Sequence, residues 1–223
     1  KVNEEGVIDE EFLVEALKGS KSANKFVSIG HANSETGVIQ DIKNNHECIH
    51  VITYSQNKGK GYAVKTGILQ SIGSSIVFID GDLDITSDAI QNYIEELNNF
   101  DLVIGSKLLQ NSEIEIRQSR KILSDIFSSL VKFLTGLKIQ DTQVGFKVGN
   151  GEDLRKIFKI MNIDGFAFDV ELLVIATKLN LRIKEMPVKL KIMKSFRFNS
   201  AVQMFYDVLK ITYNYKILHK FDH

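Results

Sequence analysis

Three carboxylates stand at alternate positions at the end of an apolar segment. Residues 75–80 are rich in β-branched side chains, which predicts a buried strand, and Asp80, Asp82 and Asp84 stand at its end. Alternate side chains of an extended backbone point to the same side, so these hard oxygen ligands would converge. Such carboxylates bind Mg²⁺ or Mn²⁺ together with substrate phosphates. A polar turn is the alternative interpretation, since the Asp-Gly dipeptide here favours turns.

A glycine-rich segment is the second candidate. Residues 57–61 read Asn-Lys-Gly-Lys-Gly, between a predicted strand at residues 50–54 and a predicted helix at residues 60–72. Glycines let a backbone approach a ligand, and N–H groups at a helix start favour anions, so Lys60 is a candidate for binding substrate. The segment is not a P-loop, because the required Gly-Lys-Ser/Thr sequence is absent. A flexible basic turn is the alternative.

Basic residues with a nearby hydroxyl form a third candidate, for binding phosphate. One lysine follows a predicted strand at residues 101–104, and an arginine and a serine lie four positions apart on one face of a predicted helix. Two cations and a hydroxyl can hold a phosphate group. Each residue taken singly also fits a solvated basic face. The candidates are Lys107, Arg117, Arg120 and Ser124.

The order of predicted elements indicates an α/β fold. Strands alternate with helices in the first half, which predicts a mainly parallel sheet with helices on both faces. Such a sheet binds ligands at the carboxyl ends of its strands. A less regular second half completes a domain at residues 1–193, before a C-terminal amphipathic segment at residues 194–223. Helices are predicted at residues 87–97, 119–134, 152–161, 168–179 and 199–220, and strand-like segments at residues 142–148 and 181–192.

Composition excludes several classes of function. The chain has 223 residues with 28 basic and 28 acidic side chains, which excludes a generally basic nucleic-acid binder. Residues 1–100 contain eight lysines, no arginine and fifteen acidic residues, a net −7, so residues 101–223 carry +7 and suggest an anionic ligand near that half. One cysteine excludes an intrachain disulfide and favours a reducing compartment. We find no apolar run of membrane-spanning length and no signal-peptide pattern.

The C-terminal segment interleaves basic with aromatic side chains. This pattern suits a membrane interface with anionic headgroups, and Lys194 at its start is a candidate for binding substrate. A helix that packs its aromatic side chains on the core is an equally good interpretation. The basic members are Lys194, Arg197, Lys210, Lys216 and Lys220, and the aromatic members are Phe196, Phe198, Phe205, Tyr206, Tyr213, Tyr215 and Phe221.

Seven short motifs follow one another in a recognisable order. They are N-x-G-K-G from residue 57, D-G-D-x-D from 80, G-S-K from 105, R-x-x-x-S from 120, D-T-Q-x-G-F-K from 141, A-F-D-V-E-L from 167 and E-M-P-V from 185. This order, over about residues 57–210, resembles the family 2 glycosyltransferases. Within that family it looks like the dolichyl- or polyprenyl-phosphate glucosyl- and mannosyltransferases, and two motifs, D-T-Q-x-G-F-K and A-F-D-V-E-L, look most like the dolichyl-phosphate β-glucosyltransferase group.

The resemblance implies a GT-A fold, which is Rossmann-like with a mainly parallel sheet. It also implies an inverting transfer of a hexose from a nucleotide sugar such as UDP-glucose to a polyprenyl or dolichyl phosphate. Asp80 and Asp82 match the family's metal motif, with Asp84 as a further ligand, for Mg²⁺ or Mn²⁺. The metal would stabilise the departing nucleotide.

The same resemblance implies where the acceptor binds. Lys107, Arg120 and Ser124 match positions that hold the acceptor phosphate, and Asp141 and Gln143 match a loop beside the acceptor and the sugar. The acceptor oxygen is already anionic, so the reaction needs no strong general base. We expect the protein at the cytoplasmic face of a membrane, in peripheral contact with it. The catalytic candidates are Asp82, Asp141 and Gln143.

The sequence departs from the family near its start. The family's opening strand is missing or truncated, and its acidic nucleoside-binding pair is absent from residues 29–36, which read Ile-Gly-His-Ala-Asn-Ser-Glu-Thr. Two alternatives therefore stay open. One is a GT-A glycosyltransferase with a glycan or soluble acceptor, and the other is a degenerate nucleotide-binding domain without activity. A nucleotidyltransferase is less favoured, because its usual glycine- and arginine-rich loop is not visible.

Overall fold

Helices and strands alternate in the computed structural model, which describes residues 52, 56, 58–80, 87–116, 118–192 and 198–217. The strands are β1 (Ser75–Ile79), β2 (Leu102–Ser106), β3 (Glu113–Ile116), β4 (Phe146–Asn150), β5 (Ile183–Pro187) and β6 (Lys189–Ile192). The helices are α1 (Lys60–Gln70), α2 (Ser87–Glu95), α3 (Gln118–Thr135), α4 (Gly151–Ile160), α5 (Phe168–Lys178) and α6 (Phe198–Thr212). A 3₁₀ turn, Glu96–Asn98, follows α2, and a π-helical turn, Tyr213–Ile217, follows α6.

The strands form a four-stranded sheet in the order β1-β4-β2-β5 and a separate pair of β3 with β6. β2 and β5 are parallel, whereas β4 runs antiparallel to both β1 and β2. β1, β2 and β5 therefore share one direction, and β4 is the antiparallel exception in a sheet that the sequence predicts as mainly parallel. The carboxyl ends of β1 and β2 consequently meet the amino end of β4 at one edge of the sheet.

Apolar side chains cover both faces of this sheet, which explains the predicted helices on either side. On one face, Phe78 and Ile104 are buried in a cluster that also contains side chains of α1, α4, α5 and α6. On the other face, Val103 and Val148 pack with Tyr93 of α2. Because side chains of a strand alternate between faces, neighbouring residues of β2 belong to different clusters.

Most predicted elements are found where the sequence places them. The predicted helices that begin at residues 60, 87, 119, 152 and 168 agree with α1 to α5 to within two residues at each end, counting the 3₁₀ turn with α2. The segment at residues 181–192 forms β5 and β6 on either side of Val188. The last predicted helix continues through α6 into the π-helical turn, and residues 218–220 lie outside the described residues, as does the predicted strand at residues 50–54 apart from residue 52.

One predicted strand begins later than the sequence suggests. The segment predicted at residues 142–148 is a loop as far as Gly145 and enters β4 only at Phe146. The reason is a turn made by a side chain, because Oδ1 of Asp141 accepts a hydrogen bond from the backbone N–H of Gln143 at 3.0 Å. Aspartate commonly binds the backbone two residues ahead in this way and competes with strand formation.

The C-terminal helix contributes to the main core. Val208 and Ile211 of α6 and Tyr215 of the following turn belong to the same buried cluster as the sheet. α6 packs against α3 and α5. Among the described helices, none combines the length and the apolar character that crossing a membrane requires.

Candidate active site

Asp80 and Lys60 form an ion pair at the carboxyl end of β1. The Lys60 Nζ lies 2.8 Å from both Oδ1 and Oδ2 of Asp80, and each side chain is 26% exposed. Asp80 is the first residue after β1, and Lys60 is the first residue of α1. Two residues that the sequence assigns to different candidate sites therefore meet in one place.

The Asp80 carboxylate rests on the loop that precedes β4. The backbone N–H of Asp80 donates to the carbonyl oxygen of Gly145 at 2.7 Å. A β-carbon at residue 145 would overlap the carboxyl atoms of Asp80, so only glycine leaves room for this arrangement. The glycine of the D-T-Q-x-G-F-K motif thus has a direct steric role in placing Asp80.

A second ion pair, between Lys147 and Asp169, is buried. Nζ of Lys147 donates to Oδ1 of Asp169 and to the carbonyl oxygen of Val144, each at 2.6 Å. The side chains of Lys147 and Asp169 are 1% and 4% exposed. Oδ2 of Asp169 lies 3.9 Å from Nζ of Lys60. Two aspartates and two lysines therefore alternate in sign from the partly exposed Asp80 to the buried Lys147.

Neither Lys147 nor Asp169 is among the residues that the sequence predicts for the site. Both nevertheless lie in motifs that the sequence singles out, since Lys147 ends D-T-Q-x-G-F-K and Asp169 lies in A-F-D-V-E-L. Each motif alone names no chemistry, and only the contact between them shows what their charged residues do. Burying a charged side chain costs free energy unless it is paired, which explains why Lys147 and Asp169 are buried together.

The glycines beside Lys60 allow α1 to approach another loop closely. Gly59 has a φ of +96°, a region that favours glycine, and a β-carbon there would meet the carbonyl oxygen of Asp164. A β-carbon at Gly61 would lie 2.7 Å from the carbonyl oxygen of Ile163. The backbone N–H of Tyr62 donates a hydrogen bond to the carbonyl oxygen of Asp164 at 3.1 Å. These glycines, predicted to admit a ligand, serve here to seat the start of α1 on residues 163–165.

The loop under α1 is held by a buried carboxylate. Glu171 accepts hydrogen bonds from the backbone N–H groups of Asn162 and Ile163, the latter at 2.8 Å. The hydroxyl of Tyr215 donates to the same carboxylate at 2.7 Å. Burial and the adjacent carboxylate raise the pKa of Tyr215, which keeps the phenol protonated as a donor. The C-terminal turn is thereby connected to the loop that supports Lys60.

A second cluster lies at the end of β2, around Asp141. Oδ2 of Asp141 accepts the backbone N–H of Lys107 at 2.9 Å and lies 3.6 Å from Nζ of Lys107. The other oxygen accepts the N–H of Gln143, as described above. The carboxylate of Glu185 accepts the N–H groups of Gln140 and Asp141, at 2.9 and 3.0 Å. Three residues predicted for the acceptor side, Lys107, Asp141 and Gln143, are thus brought together at the carboxyl end of β2.

Two buried hydroxyls lie next to this cluster in sequence. Within the part of the chain that the structure describes, neither Oγ of Ser106 nor Oγ1 of Thr142 has a hydrogen-bond partner. Buried polar atoms are normally hydrogen-bonded, so these two hydroxyls are exceptions to the usual pattern.

The two clusters are joined by one loop. Asp80 follows β1, Lys107 follows β2, and residues 141–145 lead into β4 between these strands. The backbone of α3 places Arg120 and Ser124 one turn apart. The remaining predicted site residues lie outside the described residues; they are Asp82, Asp84, Arg117 and Lys194.

The chemistry of Asp80 suits a hard divalent cation. Its carboxylate oxygens are partly exposed and already hold a cation, the ammonium of Lys60. Mg²⁺ and Mn²⁺ prefer such oxygen ligands. Over the residues that the structure describes, no group of three or more His, Cys, Asp or Glu side chains could hold a metal ion. Of the three predicted metal ligands, Asp80, Asp82 and Asp84, only Asp80 is among the described residues.

Known proteins resemble this chain over most of its length. The family model described as Glycosyl transferase family 2 matches residues 33–158. A dolichyl-phosphate beta-glucosyltransferase of Dictyostelium discoideum is 36% identical over 179 residues, covering 75% of this chain and 54% of the relative. The Saccharomyces cerevisiae protein of that name is 33% identical over 165 residues, covering 67% and 49%. The chain therefore spans about half the length of the curated relatives it matches.

Solved structures with low sequence identity share the fold. Glucosyl-3-phosphoglycerate synthase from Mycobacterium tuberculosis, in complex with Mg²⁺ and uridine diphosphate, superposes with a TM-score of 0.52 at 15% identity, covering 72% of this chain and 56% of that one. Its complex with Mn²⁺, uridine diphosphate and phosphoglyceric acid gives a TM-score of 0.53 at 16% identity, covering 71% and 54%. At these identities the likeness shows the fold alone.

Proposed function

Because the chain belongs to glycosyltransferase family 2, we propose that it transfers a glucosyl group from a nucleotide sugar to dolichyl phosphate or a related polyprenyl phosphate. Its fold is GT-A, as the resemblance implies. Relatives that are identical at about a third of the aligned positions are named dolichyl-phosphate beta-glucosyltransferases. The observation that carries the proposal is the attachment of Asp80 and Lys107 to the two ends of one loop, through Gly145 and Asp141 respectively. In this proposal the carboxylate of Asp80 serves the donor's cation and the ammonium of Lys107 serves a phosphate, at the same end of the sheet.

The donor half of the site centres on Asp80. We assign Asp80, with Asp82 and Asp84 of the same motif, to a Mg²⁺ or Mn²⁺ ion. The bound ion would supply Lewis-acid stabilisation of the departing nucleotide diphosphate. UDP-glucose is the donor to test first, because a structural neighbour was crystallised with it. Lys60 completes this half and places a positive charge near the donor diphosphate.

The acceptor half centres on Lys107. Its ammonium lies beside Asp141, which also holds the backbone of residue 107. Asp141 thus acts as a positioning residue for Lys107 in our proposal. Arg120 and Ser124 of α3, with Arg117 before them, are assigned to the same phosphate. Two or three cations at one phosphate give strong, charge-assisted hydrogen bonds.

The reaction requires little proton chemistry. An anionic oxygen of the acceptor phosphate attacks C1 of the sugar and forms the new C1–O bond. The bond from C1 to the β-phosphate oxygen breaks, and its electron pair leaves with the nucleotide diphosphate, so the configuration at C1 inverts. No proton is transferred in this step. The side chains therefore act by orienting both substrates and by balancing charge.

The exposed face of α6 supports contact with the membrane that contains the acceptor. The opposite face of this helix is buried, through Val208 and Ile211. The two interpretations of the C-terminal segment are therefore compatible, since one face packs on the core and the other carries exposed apolar side chains. Such a face suits the interface of a bilayer. We place this contact at the cytoplasmic side, in line with the single cysteine. The exposed side chains are Val202, Phe205, Tyr206 and Leu209 of α6 and Tyr213 of the turn that follows it.

A direct transfer assay tests the proposal. The full chain is incubated with radiolabelled UDP-glucose, Mn²⁺ and vesicles that contain dolichyl phosphate, and label in the lipid fraction is counted. We expect lipid-linked glucose that depends on both the dolichyl phosphate and the metal. Label on free sugars or glycans but not on lipid would instead favour a soluble acceptor. Binding of UDP without transfer to any acceptor would favour the inactive domain.

A further inference from the structure

Lys60 lies between two carboxylates, and this position points to a second role for its ammonium group. We propose that the ammonium of Lys60 stays paired with the Asp80 carboxylate until metal ion and nucleotide bind together, and that it then leaves this carboxylate. The metal ion alone therefore binds weakly, and the nucleotide strengthens its binding. This inference rests on the metal-dependent transfer proposed above, but its test requires no transfer.

The ammonium and a metal ion compete for the same oxygens. Nζ of Lys60 lies 2.8 Å from each carboxylate oxygen of Asp80. A divalent ion would bind such an oxygen at about 2.1 Å. The two cations would then be close neighbours, and their repulsion at this separation is large in a partly buried site. Binding of the metal therefore requires the ammonium to leave.

Asp80 has little freedom to turn away from Lys60 on its other side. Its backbone N–H is bonded to Gly145, and its carboxyl group fills the space above that glycine. The loop that contains Gly145 is itself fixed through Asp141. The lysine, in contrast, has a flexible four-carbon chain. The exchange is therefore a movement of Lys60 and not of Asp80.

The structure contains a second place for the ammonium. Oδ2 of Asp169 lies 3.9 Å from Nζ of Lys60, and the ring centre of Phe168 lies 5.4 Å from it. Asp169 is held in place through its other oxygen by Lys147 at 2.6 Å. A shift of roughly 1 Å would bring Nζ of Lys60 within hydrogen-bond distance of Asp169. Asp169 is thus a second anionic partner within reach of the lysine when its ammonium moves away from Asp80.

The donor diphosphate makes this release more favourable. Its oxygens are strong acceptors for an ammonium, and they add to the single oxygen that Asp169 offers. Metal and nucleotide consequently help each other to bind, because each favours the released position of Lys60. Such coupling is reciprocal, so the metal raises nucleotide affinity by the same factor by which the nucleotide raises metal affinity.

Measurement of Mn²⁺ binding tests the proposal without any acceptor. Free Mn²⁺ is quantified by electron paramagnetic resonance with the full chain, in the presence and absence of UDP. Without UDP, Lys60→Met should bind Mn²⁺ about two- to fivefold more tightly than the wild type, the range expected from breaking one partly exposed ion pair. The gain in Mn²⁺ affinity on adding UDP should be smaller in the variant.

Lys58→Met is the matched control for the loss of one positive charge. Lys58 is exposed, and its ammonium lies over the ring of Tyr62 and contacts the Tyr62 hydroxyl at 3.2 Å. This variant should leave Mn²⁺ affinity as in the wild type. Lys60→Arg keeps the cation and should show no gain. Lys60→Gln repeats the test if the methionine variant does not fold, which thermal melting determines.

The outcomes separate this inference from the proposed function. The exchange is overturned if, without UDP, Lys60→Met and Lys60→Gln bind Mn²⁺ no more tightly than the wild type. It is also overturned if Lys58→Met gains as much Mn²⁺ affinity as Lys60→Met. A wild type that binds Mn²⁺ neither with nor without UDP overturns the metal-dependent function as well. A wild type that binds Mn²⁺ with UDP but gains nothing from the Lys60 variants overturns the exchange alone.

Discussion

The carboxylate of Asp80 lies over Gly145, in the place that a β-carbon at residue 145 would occupy. Gly145→Ala should therefore displace Asp80 from the donor site. We expect a loss of about 1–3 kcal/mol in the free energy of unfolding from overpacking. Affinity for UDP with Mn²⁺ should fall by about tenfold or more, measured by isothermal titration calorimetry, since 1.4 kcal/mol corresponds to a factor of ten.

Gly149→Ala is the control for this change. It introduces the same methyl group in β4, where it would meet Cδ1 of Leu154 at 2.9 Å and Cδ1 of Leu102 at 3.2 Å. These are the ends of flexible side chains in the core. The control should lose stability but keep its UDP affinity. Equal loss of UDP affinity in both variants would contradict the steric role of Gly145.

The buried pair of Lys147 and Asp169 should be important for stability. Lys147→Met leaves the Asp169 carboxylate buried, with Lys60 at 3.9 Å as its remaining ion-pair partner. Removing one member of a buried pair costs about 3–5 kcal/mol, which urea denaturation would measure. Lys184→Met, which breaks a more exposed pair with Glu96, should cost less than about 1 kcal/mol. Similar losses in both lysine variants would contradict the prediction.

Asp141→Asn should weaken binding of the acceptor and spare the donor. The carboxylate accepts one backbone N–H on each oxygen, from Lys107 and Gln143, whereas an amide has a single oxygen. We expect the KM for dolichyl phosphate to rise about tenfold, the effect of one lost buried hydrogen bond. UDP affinity should not change. Asp153→Asn, in the first turn of the helix that follows β4, is the control and should leave the KM unaltered.

Asp101 and Arg182 predict a dependence of stability on pH. The side-chain hydrogen bond from Arg182 lowers the pKa of Asp101 below its ordinary value of 3.8. A carboxyl with a depressed pKa stabilises the fold above its unfolded pKa, and this contribution is lost as pH falls through the folded value. Asp101→Asn should thus be less stable than the wild type at pH 7, with the difference shrinking below about pH 4. A difference that stays constant down to pH 2 in denaturant titrations would refute this.

The exposed face of α6 should determine vesicle binding. Replacing Tyr206 and Tyr213 together by serine removes two aromatic side chains from the proposed membrane contact. Co-sedimentation with vesicles that contain anionic lipid should fall severalfold. Ile72→Ser removes an exposed apolar side chain outside this helix and should have no effect. Unchanged binding of the tyrosine variant would place the membrane contact elsewhere.

The sequence predicts the elements better than the contacts between them. β1 and β2 are recognisable because β-branched, apolar residues precede Asp80 and Lys107, and those two residues do lie at one edge of the sheet. The direction of β4 is not predictable in this way, because an apolar run has the same pattern in either direction. Its later start depends on the Asp141 side chain, which binds a backbone group in place of a neighbouring strand.

Pairing between distant side chains is the other part that the sequence leaves open. Lys147 and Asp169 lie in different motifs, and nothing in either motif states that they meet. The pairing of Lys60 with Asp80 was equally hidden, because the sequence assigns one to an anion and the other to a metal. Oppositely charged residues in different motifs would be a useful sequence signal for such contacts, since a charge is seldom buried in the interior of a protein without a partner of opposite sign.

The position of β4 has a consequence for how the protein folds. β4 joins β1 and β2, both of which are complete much earlier in the chain. The clusters around Asp80 and around Asp141 both depend on the loop before β4, so neither can form until that late strand is inserted. Contacts between distant segments slow folding. During synthesis, the nascent chain should therefore stay unable to bind UDP until residue 150 has left the ribosome.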